Sequence, residues 1–110
     1  MNRKIFSGIS LLLIAMCFSS LSNADTVWID VRSVVEHSID SIEGDVRISD
    51  GDIVSEVSEM FPDKSTEIRL YCRSGGRAGK AMSALRKAGY TNVSNVGGIN
   101  DARKERGLSE

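Results

Sequence analysis

Short apolar runs alternate with segments of helical periodicity from residue 27 onward, and this alternation predicts strands and helices in turn. In the run at 67–72, Ile68, Leu70 and Cys72 alternate with Arg69 and Tyr71. The apolar runs predict four strands, at residues 27–31, 45–49, 67–72 and 92–96. Helices are predicted between and after them, at 34–37, 50–60, 77–88 and 99–106.

This order predicts an α/β fold, a small parallel sheet flanked by helices on both faces. Gly97 and Gly98 are predicted to form a turn after the last strand. In such sheets, binding sites form just beyond the carboxyl ends of the strands. Cys72 ends the third strand and Asp30 lies near the end of the first, so both are expected at one edge.

The first 24 residues have the layout of a secretory signal peptide. Arg3 and Lys4 precede an apolar run at 9–18, and Ser22 and Ala24 are small residues at the positions read by a signal peptidase. The run is short for a membrane span. We therefore expect a signal peptide at 1–24, a mature domain at 25–110 and a periplasmic location; an uncleaved anchor or a buried N-terminal strand are the alternatives.

The charge of the expected mature domain is strongly asymmetric, although its total is only −3. Residues 25–67 carry a net charge of −9, whereas residues 68–110 carry +6. Cys72 lies in the basic part and is the one cysteine of residues 25–110. A local positive field favours a thiolate and attracts small anions. The alternative interpretation is that Cys72 is a buried structural cysteine and that the charges form a solvated surface without selectivity.

The segment 71–78 favours the reactive interpretation because it joins a strand to a helix through a glycine-rich loop. Gly75 and Gly76 permit backbone conformations in which successive N–H groups point into one hollow. The start of the following helix and the guanidinium groups of Arg73 and Arg77 add positive charge. We therefore expect a lowered pKa for Cys72 and an anion site in the loop.

These residues resemble the active-site loop of the rhodaneses, a family of sulfurtransferases. Cys72, Gly75 and Arg77 fit its pattern of cysteine, two variable residues, glycine, one variable residue and arginine. The Asp-Val-Arg at 30–32, followed by Glu36, is similar to an early signature of the family, and residues 90–98 resemble its closing strand and double glycine. The resemblance covers residues 25–110, with the signal peptide typical of an exported, single-domain member.

The resemblance implies that Cys72 takes a sulfur atom from thiosulfate, holds it as a persulfide and passes it to cyanide or a thiol. It implies no cofactor. One cysteine and one histidine do not make a metal site. The basic residues lack interleaved aromatic side chains, so no nucleic-acid partner is expected. After cleavage of the signal peptide, no membrane contact is expected either.

Roles for the neighbouring residues follow from the same resemblance. Arg73 would orient the substrate, with a flexible exposed side chain as the alternative, and Ser74 would donate a hydrogen bond to the substrate or serve only the turn. The backbone N–H groups of Gly75 and Gly76 would surround the substrate. Arg77 is expected to pair with Asp30 and to support the loop, with direct contact to the substrate as the alternative. Arg32 is expected to pair with Glu36, and His37 to be a surface residue remote from the loop.

Two other functions remain open at this point. A cysteine-dependent phosphatase or arsenate reductase also uses a cysteine–arginine anion loop, but the phosphatase type needs five residues between the two, and here four intervene. A persulfide carrier that delivers sulfur to one protein partner would keep the same loop.

Overall fold

The computed structural model describes residues 26–109 of the 110-residue chain, so the predicted signal peptide lies outside the described residues. Strands and helices alternate as the sequence predicts. The strands are β1 (Val27–Asp30), β2 (Val46–Arg47), β3 (Ile68–Cys72) and β4 (Val93–Gly98). The helices are α1 (Val34–Ile39), α2 (Ile53–Met60), α3 (Gly76–Lys87) and α4 (Ile99–Glu105), with a 3₁₀ turn at Asp50–Asp52 before α2. Within 26–109, every helix falls short of the length and apolarity of a membrane span.

The four strands form one parallel sheet in the order β2-β1-β3-β4. Asp30 is paired in register with Tyr71, so Cys72 follows one residue beyond the end of β1. The predicted α/β architecture is confirmed. The expectation that Asp30 and Cys72 share one edge of the sheet is confirmed with it.

The two faces of the sheet bury different sets of side chains because neighbouring strand residues point to opposite sides. Leu70 and Cys72 face the larger core, which α2 and α3 cover. Tyr71 faces the smaller core with Ile99 and Ala102 of α4, so helices cover both faces. The residues of the larger core are Ile29, Val31, Ile48, Ile53, Val57, Ile68, Leu70, Cys72, Ala78, Ala81, Leu85, Tyr90 and Val93.

The predicted turn at Gly97 and Gly98 is wrong, because both residues belong to β4 and pair with Tyr71 and Cys72. The register shifts just before them, where Leu70 pairs with Asn95 and Tyr71 with Gly97. Val96 is thus an extra residue in the strand, a bulge of the kind that redirects a strand near a site. The bulge lets β4 continue as far as the end of β3, beside the cysteine loop.

Candidate active site

Cys72 ends β3, and the loop that follows it leads directly into α3 at Gly76. The residue is only 1 % exposed and its thiol is not in a disulfide. The backbone N–H of Gly75 donates a hydrogen bond to Cys72 Sγ at 2.9 Å. Gly75 has a φ of +101°, a conformation that strongly favours glycine, and this turns its N–H back toward the sulfur.

Two opposing effects determine the pKa of Cys72. Burial is the largest single effect and raises it, because a thiolate loses hydration inside the protein. Hydrogen bonds from backbone N–H groups lower it, and together they outweigh burial, so the pKa lies below its ordinary value. The donors are Ala78, Ser74, Gly75 and Arg77. The expected lowering is thus present, and its source is the loop backbone.

The double glycine of β4 allows the strand to pack against this loop. A Cβ atom on Gly98 would lie 2.5 Å from the carbonyl oxygen of Arg73, too close for any other residue without backbone movement. Gly97 has a φ of +104°, and a Cβ there would lie 2.6 Å from the carboxylate of Asp101. Asn95 adds a hydrogen bond of 2.9 Å from its side-chain amide to the carbonyl of Gly75. Strand β4 therefore fixes the loop from one side.

Arg77 pairs with Glu36 and not with Asp30, so the predicted partner is wrong. Its guanidinium makes two hydrogen bonds to the carboxylate, at 2.7 and 2.9 Å. This bond from Arg77 holds the pKa of Glu36 well below its usual range. Glu36 also accepts from the backbone N–H of Ser33 at 3.0 Å, which completes a capping box at the start of α1. A single carboxylate thus ties α1 to the cysteine loop.

Asp30 is unavailable to Arg77 because other side chains already surround it. It is fully buried and accepts hydrogen bonds from Arg32 Nε at 2.9 Å and Nη2 at 2.7 Å. The predicted pair of Arg32 with Glu36 is therefore also wrong. The chain bends at Arg32, which lets the guanidinium fold back onto the strand end. Burial raises the pKa of Asp30, but the hydrogen bonds together lower that pKa by more than burial raises it. The pKa therefore lies below its ordinary value, and Asp30 remains an anion.

His37 also contacts Asp30, which corrects its prediction as a free surface residue. Its Nδ1 lies 2.9 Å from Asp30 Oδ2, and the side chain is only half-buried. No sequence pattern marked His37 for this role. The one available signal was indirect: a carboxylate at the end of a buried strand needs several polar partners.

Arg73 and Ser74 lie on the exposed side of the loop. Among the residues that the structure describes, Arg73 makes no hydrogen bond through its side chain and no ion pair. The structure thus brings the predicted loop residues together, with Asp30 and Arg32 behind them at the neighbouring strand end. The loop residues are Cys72, Arg73, Ser74, Gly75, Gly76 and Arg77.

A buried thiol at a strand end, held by backbone N–H groups at the start of a helix, agrees with the family match. Residues 17–105 match the family described as the rhodanese-like domain. The chain belongs to this family. Within 26–109, no group of three or more histidine, cysteine, aspartate or glutamate side chains is arranged to hold a metal ion.

Individual relatives extend this family match. The rhodanese domain is 33 % identical over 91 residues to the thiosulfate sulfurtransferase PspE of Escherichia coli, covering 83 % of this chain and 88 % of PspE. It is also 33 % identical over 92 residues to a tRNA uridine(34) hydroxylase of Photorhabdus laumondii, but that match covers 78 % of this chain and only 26 % of the hydroxylase.

Solved structures show the same fold. A rhodanese with anions from E. coli superposes with a TM-score of 0.66 at 32 % identity, covering 69 % of this chain and 89 % of that one. A Rhodanese_3-like domain from Anabaena gives a TM-score of 0.67 at 27 % identity, covering 76 % and 95 %. The rhodanese fold predicted from the sequence is therefore confirmed.

Proposed function

We propose that this protein is a periplasmic thiosulfate sulfurtransferase that carries sulfur as a persulfide on Cys72. The single observation that carries the proposal is the cluster of backbone N–H groups around a thiol of lowered pKa. Membership of the rhodanese family and similarity to a thiosulfate sulfurtransferase support sulfur transfer as the reaction class. The periplasmic location rests on the pattern of residues 1–24.

In the first step, the Cys72 thiolate attacks the outer sulfur of thiosulfate. A new sulfur–sulfur bond forms to Cys72, the sulfur–sulfur bond of thiosulfate breaks, and sulfite leaves with the bonding electron pair. The loop N–H groups that stabilise the thiolate also suit the negative charge of the resulting persulfide. No general base is required for the thiolate fraction of Cys72, and the lowered pKa increases that fraction.

In the second step, a nucleophile removes the outer sulfur. Cyanide becomes thiocyanate, or a thiol becomes a persulfide, and Cys72 returns as a thiolate. Cys72 is almost fully buried. The outer sulfur of a persulfide extends about 2 Å beyond the cysteine sulfur, and this brings the reacting atom closer to solvent.

The residues around Cys72 divide into two groups in this proposal. Arg73 is exposed and carries no partner among the described residues, so its charge is free to orient thiosulfate; Ser74 lies beside it. Arg77 is occupied by Glu36 and supports the loop from behind. The backbone of Gly75 and Gly76 completes the hollow.

The decisive experiment is intact mass spectrometry of the mature protein after incubation with thiosulfate. We expect a gain of one sulfur atom, which is absent in Cys72→Ser and is removed by cyanide with release of thiocyanate. An unchanged mass would refute the proposal, provided that iodoacetamide alkylates Cys72 in the same preparation. That control separates an unreactive site from an inaccessible one.

A further inference from the structure

A pocket of about 520 Å³ lies beside the cysteine loop, between α1 and the start of α4. Arg73 is the loop residue that reaches it, and Arg73 directly follows Cys72 in the chain. The remaining lining residues are Arg32, Glu36, Ile39, Asp40, Ile99 and Asn100. Cys72 is not itself a lining residue, so the pocket meets the reactive residue through Arg73, whose charge is also the one expected to orient thiosulfate.

Almost all of the charge in this pocket is already neutralised by partners. Arg32 is paired with Asp30, and Glu36 with Arg77. The pair formed by Asp40 and Arg103 has a closest distance of 2.6 Å, and the same contact lowers the pKa of Asp40. Each of these charged lining residues thus already has a partner of opposite charge.

Arg73 is the exception. Its guanidinium makes no ion pair within residues 26–109, so the pocket carries one uncompensated positive charge. An arginine that faces a pocket without a partner suits a carboxylate, which accepts two parallel hydrogen bonds from it.

The other notable feature of the pocket is aliphatic. Ile39 is 80 % exposed although it is a large apolar side chain, and Ile99 forms part of the wall. A ligand with a hydrocarbon chain would cover Ile39 and remove its apolar surface from water. Val35 lies one helical turn before Ile39 and is also exposed, but it does not line the pocket.

We propose that this pocket binds the sulfur acceptor, and that the preferred acceptor is an aliphatic thiol carrying a carboxylate. The carboxylate pairs with Arg73, the hydrocarbon chain lies along Ile39, and the thiol reaches the persulfide on the preceding residue. This inference rests on the proposed function, since it requires a persulfide on Cys72. It adds the class of the acceptor and the residues that select it.

The reaction at this site is a transfer of one sulfur atom without net oxidation. The acceptor thiolate attacks the outer sulfur of the Cys72 persulfide, and a new sulfur–sulfur bond forms on the acceptor. The bond to Cys72 breaks, and its electron pair remains on the Cys72 thiolate. The negative charge of the persulfide stays on the transferred sulfur, so the products are an acceptor persulfide anion and a free Cys72 thiolate.

The test uses protein that has been loaded with thiosulfate, desalted and checked by intact mass. Mercaptohexanoate, mercaptohexanol and mercaptoacetate are then added separately, and the loss of the extra sulfur is followed over time. Mercaptohexanol has the same chain without the carboxylate, so the comparison isolates the charge. We expect mercaptohexanoate to discharge the protein about fivefold faster than mercaptohexanol, as expected for one partly exposed ion pair.

Two variants test whether Arg73 and Ile39 cause the preferences for a carboxylate and for a longer chain. Arg73→Gln should remove the preference for mercaptohexanoate over mercaptohexanol. Ile39→Ser should keep that preference. It should, however, reduce the chain-length ratio, which is the discharge rate with mercaptohexanoate divided by that with mercaptoacetate, by about threefold. Val35→Ser is the matched control, because it removes another exposed aliphatic side chain from the same helix but outside the pocket.

The outcomes separate this inference from the proposed function. A protein that never gains sulfur refutes the proposed function itself. A protein that loads normally but discharges equally fast to mercaptohexanoate and mercaptohexanol overturns the inference alone. A preference that survives in Arg73→Gln, or a chain-length ratio that changes as much in Val35→Ser as in Ile39→Ser, overturns it as well.

Discussion

Replacing Glu36 with glutamine tests whether the contact between α1 and the loop positions Cys72. Two hydrogen bonds, of 2.7 and 2.9 Å, join its carboxylate to Arg77. Glutamine keeps the length of the side chain and can still accept from the N–H of Ser33, but it has no charge. The side chain of Arg77 is 36 % exposed, so solvent screening limits the contribution of the ion pair to about 1 kcal/mol.

A loss of about 1 kcal/mol changes the ratio of ordered to displaced loop about fivefold. We therefore expect kcat/KM for thiosulfate to fall in Glu36→Gln by up to about fivefold, because the reactive loop is correctly placed less often. The melting temperature should fall by about 4–8 °C for a domain of this size. The pKa of Cys72 should rise, because the backbone N–H groups that stabilise its thiolate are held less firmly.

Ser33→Ala provides the matched control. Ser33 Oγ accepts a hydrogen bond of 3.2 Å from the backbone N–H of Glu36, so its loss destabilises α1 by about 1 kcal/mol. The carboxylate of Glu36 and Arg77 both remain. The assays are thermal unfolding, sulfur transfer to cyanide, and the rate of Cys72 alkylation by iodoacetamide against pH. If Glu36→Gln is destabilised as much as Ser33→Ala but keeps wild-type kcat/KM and the wild-type alkylation profile, the contact serves stability alone.

Two further predictions concern the loop itself. Gly98→Ala should lower the free energy of unfolding by about 1–3 kcal/mol and reduce sulfur transfer, because its Cβ would lie 2.5 Å from the Arg73 carbonyl oxygen. Gly51→Ala is the control, since a Cβ there meets nothing within 4 Å, and equal melting temperatures for the two variants would contradict the prediction. The rate of sulfur loading should rise with pH through the pKa of Cys72 and then stay constant, since the thiolate reacts. Because that pKa is lowered, the half-maximal rate should lie at a lower pH than it does for an ordinary thiol, and a value at or above that of an ordinary thiol would contradict the prediction.

The sequence was sufficient for the fold and for the position of the cysteine loop within it. Periodicity of two along residues 68–72 and of 3.6 along α3 identified the third strand and the longest helix, although β3 is buried on both faces because Tyr71 packs in the smaller core. The parallel arrangement then required Asp30 and Cys72 to meet at one edge. The double glycine of β4 was misread as a turn, because glycine favours turns and close backbone packing alike, and only the neighbouring Arg73 carbonyl distinguishes the two.

The ion pairs could not be predicted in the same way. Asp30 and Glu36 are both acidic residues near the end of β1, and Arg32 and Arg77 are both within reach of that edge. Which carboxylate meets which guanidinium depends on the bend at Arg32, which turns its side chain back onto Asp30. Hydrophobic periodicity carries no information about the backbone path at this bend, so it could not indicate the partners.

The charge asymmetry of the sequence has a different meaning once these pairs are known. Within the described residues, carboxylates of the acidic part meet guanidinium groups of the basic part in four contacts, namely Glu36–Arg77, Asp40–Arg103, Asp45–Arg106 and Glu67–Arg69. Much of the positive charge near the loop is therefore neutralised by structural pairs and does not act as a diffuse field on substrates. At the loop, the charge of Arg73 and the dipoles of the backbone N–H groups remain. Because one free guanidinium is a localised donor, selectivity at this site should depend on where a ligand carries its negative charge more than on how much it carries.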